Sequence, residues 1–320
     1  MEHNWIQVKV ARKWAEAEDI VSLELVSLGE EPLPGFSAGS HIDVELPNGM
    51  IRQYSLCNDS TEQHRYQIGV LKDRATRGGS ASVHRDIVVN KIIRISEPRN
   101  HFPLVPAKHS ILIAGGIGVT PILCMAERLA QTDAGFEMHY CTRSASRTAF
   151  VQRIRSSTFA DRVQFHFDDG EPAQKLDIQA VLAMPDAHAH LYICGPKGFM
   201  DFVIDSARKL GWADAQIHFE YFSGLPAGTS ADVRFQVKIA SSGKLFVIPA
   251  DLSIVAALAE HGIDIETSCE QGVCGTCITR VLEGIPDHRD LFFSEAEKEI
   301  NDQFTPCCSR AKTPVLVLDL

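Results

Sequence analysis

Over the first hundred residues apolar and polar side chains alternate with the period of two that belongs to half-buried strands, in residues 20–26, 41–46, 51–56, 66–71 and 92–95. Pro47, Asn48 and Gly49 stand between two of these runs and predict a hairpin turn. Many short strands with little helical signal predict a small antiparallel β-barrel. From about residue 110 the pattern becomes strand then helix, repeated: 111–114 before 119–130, 137–142 before 149–155, 163–167 before 178–182, and 191–194 before 199–210, with 217–222 as a fifth strand. Such alternation implies a parallel sheet covered by helices.

Residues 223–232, SGLPAGTSAD, have the small, polar composition of a linker, and a further domain follows. In it 235–239 and 245–248 flank Ser241, Ser242 and Gly243 as a hairpin, and Ser253 predicts the cap of a short helix that Gly262 can end. The expected fold is therefore three domains, β, α/β and α+β, over residues 1–105, 106–226 and 233–320.

Composition changes this picture mainly by exclusion. With 320 residues, 45% of them hydrophobic, each domain has material for a core. A formal charge of −10 argues against nucleic acid, whose phosphates demand a basic surface. The most apolar stretch, 110–126, is broken by Gly115, Gly116, Gly118 and Pro121 and is too short to span a bilayer comfortably. The opening MEHNWIQVKV lacks the basic and apolar regions of a secretory signal, so the expectation is a cytoplasmic protein without a membrane partner. Over 233–320, 13 Asp and Glu against 8 Lys and Arg leave −5, which suits either docking to a basic partner or a plain solvated face. Asp287, His288, Arg289 and Asp290 fit a partner contact or a surface turn equally.

Nine cysteines in such a chain are not expected to form disulfides. Cys57, Cys124, Cys141 and Cys194 are scattered singly through apolar sequence, as small buried hydrophobes would be. Cys269, Cys274 and Cys277 instead fit C-x4-C-x2-C, with a cysteine pair at 307 and 308 far downstream, the plant-type spacing of a [2Fe-2S] cluster held by four thiolates. Gly272, Gly275 and Thr276 are small enough for the loop to wrap closely and aim N–H groups at the sulfurs. A four-cysteine zinc site is the competing reading, but it draws its thiolates from two C-x2-C-like pairs and only one is present. Spacing does not choose between Cys307 and Cys308, since neighbours in extended chain point opposite ways.

Gly115, Gly116, Ile117, Gly118, Val119, Thr120 and Pro121 follow a strand and open a helix, so their backbone can approach a phosphate at a positive helix end. The same turn serves as ordinary structure elsewhere. Cys194, Gly195 and Pro196 end another strand of the same sheet, where open α/β sheets bind ligands, and Cys194 either lines a nicotinamide pocket or is simply buried. Asp168 and Asp169 suit ribose hydroxyls and hence NADH, while Arg143 pulls the other way. Arg52, Gln53, Tyr54 and Ser55 offer a phosphate partner, a ring wall and a hydroxyl to a flavin, although a strand with an exposed Arg fits them too. Gly78, Gly79 and Ser80, after Arg74 and Arg77, form a second candidate phosphate cradle.

In order, RQYS, GGS, GGIGVTPI, CGPKGFM, HFEYF, CEQGVCGTC and CCSRA resemble the phthalate dioxygenase reductase family over essentially the whole chain. The resemblance implies FMN, NADH and a [2Fe-2S] cluster as cofactors and a Rieske-type oxygenase as electron acceptor. It further implies that Arg52, Tyr54 and Ser55 hold the flavin, with Gly69, Val70 and Leu71 beside it and Gly79 and Ser80 at its phosphate. Thr120 falls near flavin and nicotinamide, Phe222 covers the isoalloxazine, and Cys307 becomes the fourth ligand, so Ser55, Thr120 and Cys194 are the candidate residues of the reaction centre. NADH gives a hydride and the cluster accepts one electron, so a flavin between them is required and no protein acid or base is. Two other functions compete: a zinc-stabilised NAD-binding redox sensor, and a self-contained flavin monooxygenase.

Overall fold

The computed structural model describes residues 5–73, 78–222 and 232–320 and forms two compact units, Met1–Glu220 and Tyr221–Leu320. Arg74, Arg77 and most of the expected linker, 223–231, lie outside the described residues.

The first unit starts with β1 (Ile6–Ala17), β2 (Ile20–Ser27), β3 (His41–Glu45), β4 (Ile51–Ser55), β5 (Tyr66–Leu71) and β6 (Ile92–Ile95). They form a six-stranded sheet in the order β4-β3-β6-β1-β2-β5. A bridge between Leu56, just past β4, and Ile68 on β5 brings the two outer strands together, so the sheet closes on itself. The alternation then has one consequence: Val8, Val10, Leu23, Leu25, Ile42, Val44 and Ile68 all fall inside the closed sheet and are excluded from water. Gly49, at φ 82°, turns the chain between β3 and β4.

Two elements of this segment are absent from the strand pattern, the 12-residue strand β1 and a helix. Helix α1 (Gly79–Asp86) begins inside the glycine pair, with Gly78 at φ 106° ahead of it. Its short apolar face is only Val83, too little to produce a helical period in the sequence.

The parallel sheet contains β7 (His109–Gly115), β8 (Gly135–Thr142), β9 (Val163–Phe167), β10 (Ala189–Gly195) and β11 (Ile217–Tyr221), ordered β11-β10-β7-β8-β9. Helices α2 (Val119–Gln131), α3 (Val151–Arg155), α4 (Ile178–Leu182) and α5 (Lys197–Lys209) connect them. The chain runs from β7 through β8 to the edge strand β9 on one side and then crosses back to β10 on the other side of β7, so the carboxyl ends of β7 and β10 flank a crevice of the kind that binds ligands in open α/β sheets.

Barrel and sheet share part of their core. Ile20, Ala38, Cys57 and Phe102 from the barrel side share one apolar cluster with Leu112, Ile122, Met125, Tyr140 and Phe150. Polar ties reinforce it: Glu16 accepts the Phe150 N–H at 3.0 Å, and Arg153 on α3 grips Glu127 on α2 bidentately at 2.7 and 2.8 Å while reaching Gln67 on β5 at 3.2 Å.

His139 on β8 is almost wholly buried, its Nδ1 3.0 Å from His166 Nε2 on β9. Burial first, and the His166 ring second, push its pKa from 6.5 to about 4. Below pH 6.5 the unfolded chain therefore takes up a proton that the native chain refuses, and stability falls as pH drops towards 4. Urea midpoints measured across that interval are expected to decline, and less steeply in His139→Gln.

The second unit holds β12 (Phe235–Ile239), β13 (Leu245–Ile248), β14 (Thr279–Glu283), β15 (Pro286–Asp287), β16 (Gln303–Phe304), β17 (Arg310–Ala311) and β18 (Val315–Leu318). Its main sheet runs β13-β12-β18-β14-β16, with β12 and β18 parallel, and β15 pairs with β17 apart from it. Helix α6 (Ile254–Ala259), capped by the Ser253 hydroxyl on the Ala256 N–H, lays Ile254, Ala257 and Leu258 on Phe235, Val237, Ile248 and Leu316. Helix α7 (Glu295–Ile300) starts from a reciprocal cap between Ser294 and Glu297.

Candidate functional site

Of the residues expected to meet flavin or NADH, most between 52 and 196 gather at two places on the first unit, whereas Arg143 follows β8 and Asp168 and Asp169 follow the edge strand β9. At the first, Arg52 on β4 extends over the start of α1: a Cβ at Gly79 would stand 3.1 Å from its Nε. Asn48 donates to the Gly78 carbonyl at 3.3 Å, and the Ser80 hydroxyl accepts the Asp73 N–H at 3.1 Å. A guanidinium beside the first N–H groups of an eight-residue helix is a donor set for a phosphate group, and only glycine at 79 leaves Arg52 this position. Val70 turns its side chain into the barrel and its carbonyl to His84 at 2.9 Å, so only its backbone stays on this side; Leu71 is exposed.

The second place is the crevice at the strand ends. The turn after β7 and the turn after β10 are packed backbone to backbone: a Cβ at Gly118 would fall 2.3 Å from the Cys194 carbonyl oxygen, and one at Gly115 would meet Phe199 at 2.7 Å and Pro196 at 3.1 Å. Packing alone thus demands glycine at 115, 118 and 195, whereas Gly116, at φ 54°, faces open space. Thr120 is buried in the first turn of α2 with its hydroxyl on the Ile117 carbonyl at 3.1 Å. Its methyl and the Phe150 ring close on Gly69 of β5, where a Cβ would lie 3.1 and 3.0 Å from them.

Cys194 is fully buried and donates to the Glu220 carbonyl on β11 at 3.3 Å; burial, then the Glu220 charge, raises its thiol well above 9.0, so it is no nucleophile. Ser55 at the end of β4 donates to Glu220 Oε2 at 3.4 Å. The Glu220 side chain is only 17% exposed, and its desolvation, opposed by the Ser55 hydroxyl, lifts the carboxyl to about 8. Tyr54 is half-buried beside it, with its phenol pushed up by burial. Phe222 follows β11 and is 37% exposed.

In the second unit Cys269, Cys274, Cys277, Cys307 and Cys308 are all buried. Glu270, Gly272 and Gly275, at φ 54°, 69° and 72°, curl the loop tightly. The Gln271 N–H donates to Cys269 Sγ at 3.3 Å and the Thr276 N–H to Cys274 Sγ at 3.5 Å. Cys269 lies against Cys274, and Cys307 lies against both Cys277 and Cys308. Cys274 is held down to about 5 by the Cys269 thiol against it, with Thr276 helping against burial, while Cys269 is raised correspondingly. Cys307 is raised by the thiol of Cys277. Among the described residues no three Cys, His, Asp or Glu side chains are arranged around a single ion. With Cys269 beside Cys274 and Cys277 beside Cys307, these four thiols can offer two sulfurs to each of two irons.

Cys308 lies against the Cys307 thiol, which raises its own, and also meets the Thr305 hydroxyl at 3.3 Å and the Ser309 hydroxyl at 3.8 Å; its Sγ occupies the space a Cβ at Gly272 would need. The segment 287–290 is an internal tie. Arg289 grips Asp232 bidentately at 2.6 and 2.9 Å and Asp287 at 2.8 Å, buried Asp290 accepts the N–H groups of Phe292 and Phe293, and the Leu291 N–H reaches the Gly272 carbonyl of the cysteine loop at 2.9 Å.

Comparison with known proteins now decides the family. The model for the 2Fe-2S iron-sulfur cluster binding domain matches residues 237–312. Over 317 residues the chain is 56% identical to the vanillate O-demethylase oxidoreductase of Pseudomonas putida, spanning 98% of this chain and 100% of that protein. Over 321 residues it is 40% identical to the phthalate dioxygenase reductase of Burkholderia cepacia, spanning 100% of this chain and 98% of that one. The solved structure of a phthalate dioxygenase reductase, described as modular for electron transfer from pyridine nucleotides to [2Fe-2S], superimposes with a TM-score of 0.80 at 40% identity, covering 99% of this chain and 98% of that chain. The chain belongs to the phthalate dioxygenase reductase family.

As a phthalate dioxygenase reductase family member, the chain is an oxidoreductase built from an antiparallel barrel sheet, a parallel sheet and a C-terminal ferredoxin domain, as its motifs led us to expect. Three residues that shape the crevice of this reductase escaped the sequence reading: His41, Phe150 and Glu220. Glu220 lies within HFEYF, one of the segments carrying the resemblance, so a signal was at hand. His41 and Phe150 have none, since only the folded chain brings them to the crevice.

Proposed function

We propose that the chain is the reductase component of a vanillate O-demethylase system, passing electrons from NADH through FMN and a [2Fe-2S] cluster to a Rieske-type oxygenase. The 56% identity to a vanillate O-demethylase oxidoreductase along its full length carries the reading. The phthalate 4,5-dioxygenase oxygenase reductase subunit and the phenoxybenzoate dioxygenase subunit beta are 42% and 40% identical and stand behind it. Bound FMN supplies the exchange between a two-electron hydride donor and a one-electron acceptor.

In this reading Arg52 and the first turn of α1, with Gly78, Gly79 and Ser80, hold the FMN phosphate. Gln53, Tyr54, Ser55 and the backbone of Gly69, Val70 and Leu71 bind the rest of FMN, and Phe222 covers its ring. Gly115, Gly116, Gly118, Thr120, Cys194, Gly195 and Pro196 receive NADH at the strand ends. Cys194 stays a protonated filler that keeps Glu220 in place, and Thr120 and Phe150 exclude water from the Gly69 side. Cys269, Cys274, Cys277 and Cys307 are the cluster thiolates. Residues 1–105, 106–226 and 233–320 are the FMN, NAD and ferredoxin domains. A cytoplasmic location accords with NADH as donor, and no helix among the described residues is long and apolar enough to cross a membrane.

Purified reductase mixed with the oxygenase of a vanillate O-demethylase should consume NADH in step with vanillate, and should do so less well with a phthalate dioxygenase. Equal or better coupling to the phthalate enzyme would overturn the vanillate assignment. Arg52→Gln should weaken FMN binding by about 10- to 100-fold, the worth of one or two charge-assisted hydrogen bonds. Flavin fluorescence titration reads this directly.

A further inference from the structure

His41, on β3, is 3% exposed, and its Nδ1 is buried without a hydrogen-bond partner. An orphaned ring nitrogen in a well-packed barrel wall calls for a reason. Its other nitrogen, Nε2, lies 3.3 Å from Nε2 of Gln53 on β4. An amide nitrogen can only donate, so His41 Nε2 accepts and the neutral ring carries its proton on Nδ1. That N–H lies 3.9 Å from Glu220 Oε1, while Glu220 Oε2 accepts the Ser55 hydroxyl. The separation is longer than a finished hydrogen bond, as is common at a site that tightens when its ligands bind.

The surroundings keep the ring uncharged. His101 stacks on it with centroids 5.3 Å apart, and Arg99, paired with buried Asp43, faces it from the barrel side. Burial first, then His101 and Arg99, lower its pKa to about 4 against the pull of Asp43. Glu220 meets Ser55, His41 and, through its backbone carbonyl, the Cys194 thiol. A carboxyl raised to about 8 is a proton carrier at neutral pH, and its proton affinity depends on which donors face its oxygens.

We propose that His41 is a positioning residue for Glu220: Gln53 fixes its Nδ1–H tautomer, and this N–H holds the carboxyl towards Ser55 and sets how firmly the carboxyl keeps its proton. An N–H donor favours the ionised carboxylate, so its removal raises the affinity for the proton. The bearing on electron transfer rests on Ser55 being a flavin contact; the proton affinity of Glu220 does not.

The test follows the infrared carbonyl band of the protonated carboxylic acid across pH, in the flavin-loaded chain and again after flavin removal. Glu220→Gln assigns the band by deleting it. His41→Phe, which keeps a ring but no donor, should move the midpoint up by about one pH unit, the worth of one hydrogen bond. His41→Asn, which can return an N–H near the Nδ1 position, should restore most of the shift. Gln53→Leu, which releases the tautomer, should move the midpoint in the same direction as His41→Phe and carries the test if that variant does not fold. The pH profile of kcat for NADH-dependent ferricyanide reduction should move in parallel. An unchanged or lowered midpoint in both variants, or no Glu220-dependent band in the parent chain, overturns the proposal. A chain that binds no flavin yet shows the shift would overturn the proposed function and leave this inference standing.

Discussion

Replacing Cys307 by Ser should abolish the [2Fe-2S] absorption, whereas replacing Cys308 by Ser should leave it in place. Cys307 has its thiol against Cys277, its largest contact, and against Cys308, while Cys308 meets Cys307 and the hydroxyls of Thr305 and Ser309. A cluster bound by four thiolates loses a ligand in one case and a neighbour in the other. NADH-dependent cytochrome c reduction should fall by about 100-fold or more in Cys307→Ser, the scale of losing an essential one-electron carrier. Ferricyanide reduction, which a flavin supports alone, should persist. Cys308→Ser changes the contacts of the Gly272 turn and of the Cys307 thiol without removing a ligand, so it should alter the cluster's stability to dilution rather than its presence. Iron and acid-labile sulfide per chain, measured after anaerobic purification, separate the two outcomes. Iron retained in Cys307→Ser and lost in Cys308→Ser would exchange the roles.

Gly118→Ala should be among the most destabilising single-methyl changes the chain can receive. The added carbon would overlap the Cys194 carbonyl oxygen at 2.3 Å and the Gly195 nitrogen at 2.5 Å, all of them backbone atoms of a buried strand end. Backbone cannot swing aside as a long side chain can, so the turn after β7 and the end of β10 must separate. Overpacking of this kind costs about 1–3 kcal/mol and more when backbone must move. We expect the upper end or beyond, seen as a lowered thermal midpoint, together with weaker NADH binding because the strand-end crevice opens. Gly116→Ala is the contrasting variant: no atom stands within 4 Å of its Cβ, and its penalty comes only from φ 54°.

What could be read without coordinates follows a physical divide. The alternation inside the barrel, the strand-helix repeat and the cysteine spacing are local patterns, and each reappears in the structure where its period placed it. Helix α1 was missed because glycine, serine and histidine fill it, and helix α7 because its six residues bury none, although Ser294 and Glu297 spelled out its start. Phe150 begins α3 from a left-handed conformation, φ 59°, held by Glu16 on β1; no propensity scale foresees a bulky residue there. His41 and Glu220 lie 179 positions apart and meet only through the barrel and the parallel sheet, beyond the range of any local period. The segment 287–290 shows the converse, a charged run that suggested a surface and instead braces the cysteine loop.

The apolar cluster shared by barrel and parallel sheet limits how such a chain can be assembled from parts. Residue 105 marks a change of architecture, yet a cut there would strip water-excluding cover from Ile20, Cys57 and Phe102 on one piece and from Ile122, Met125 and Phe150 on the other. The heritable piece is therefore residues 1–220 taken whole. Gene fusions that graft this reductase onto other proteins should preserve that block and place their joints beyond it.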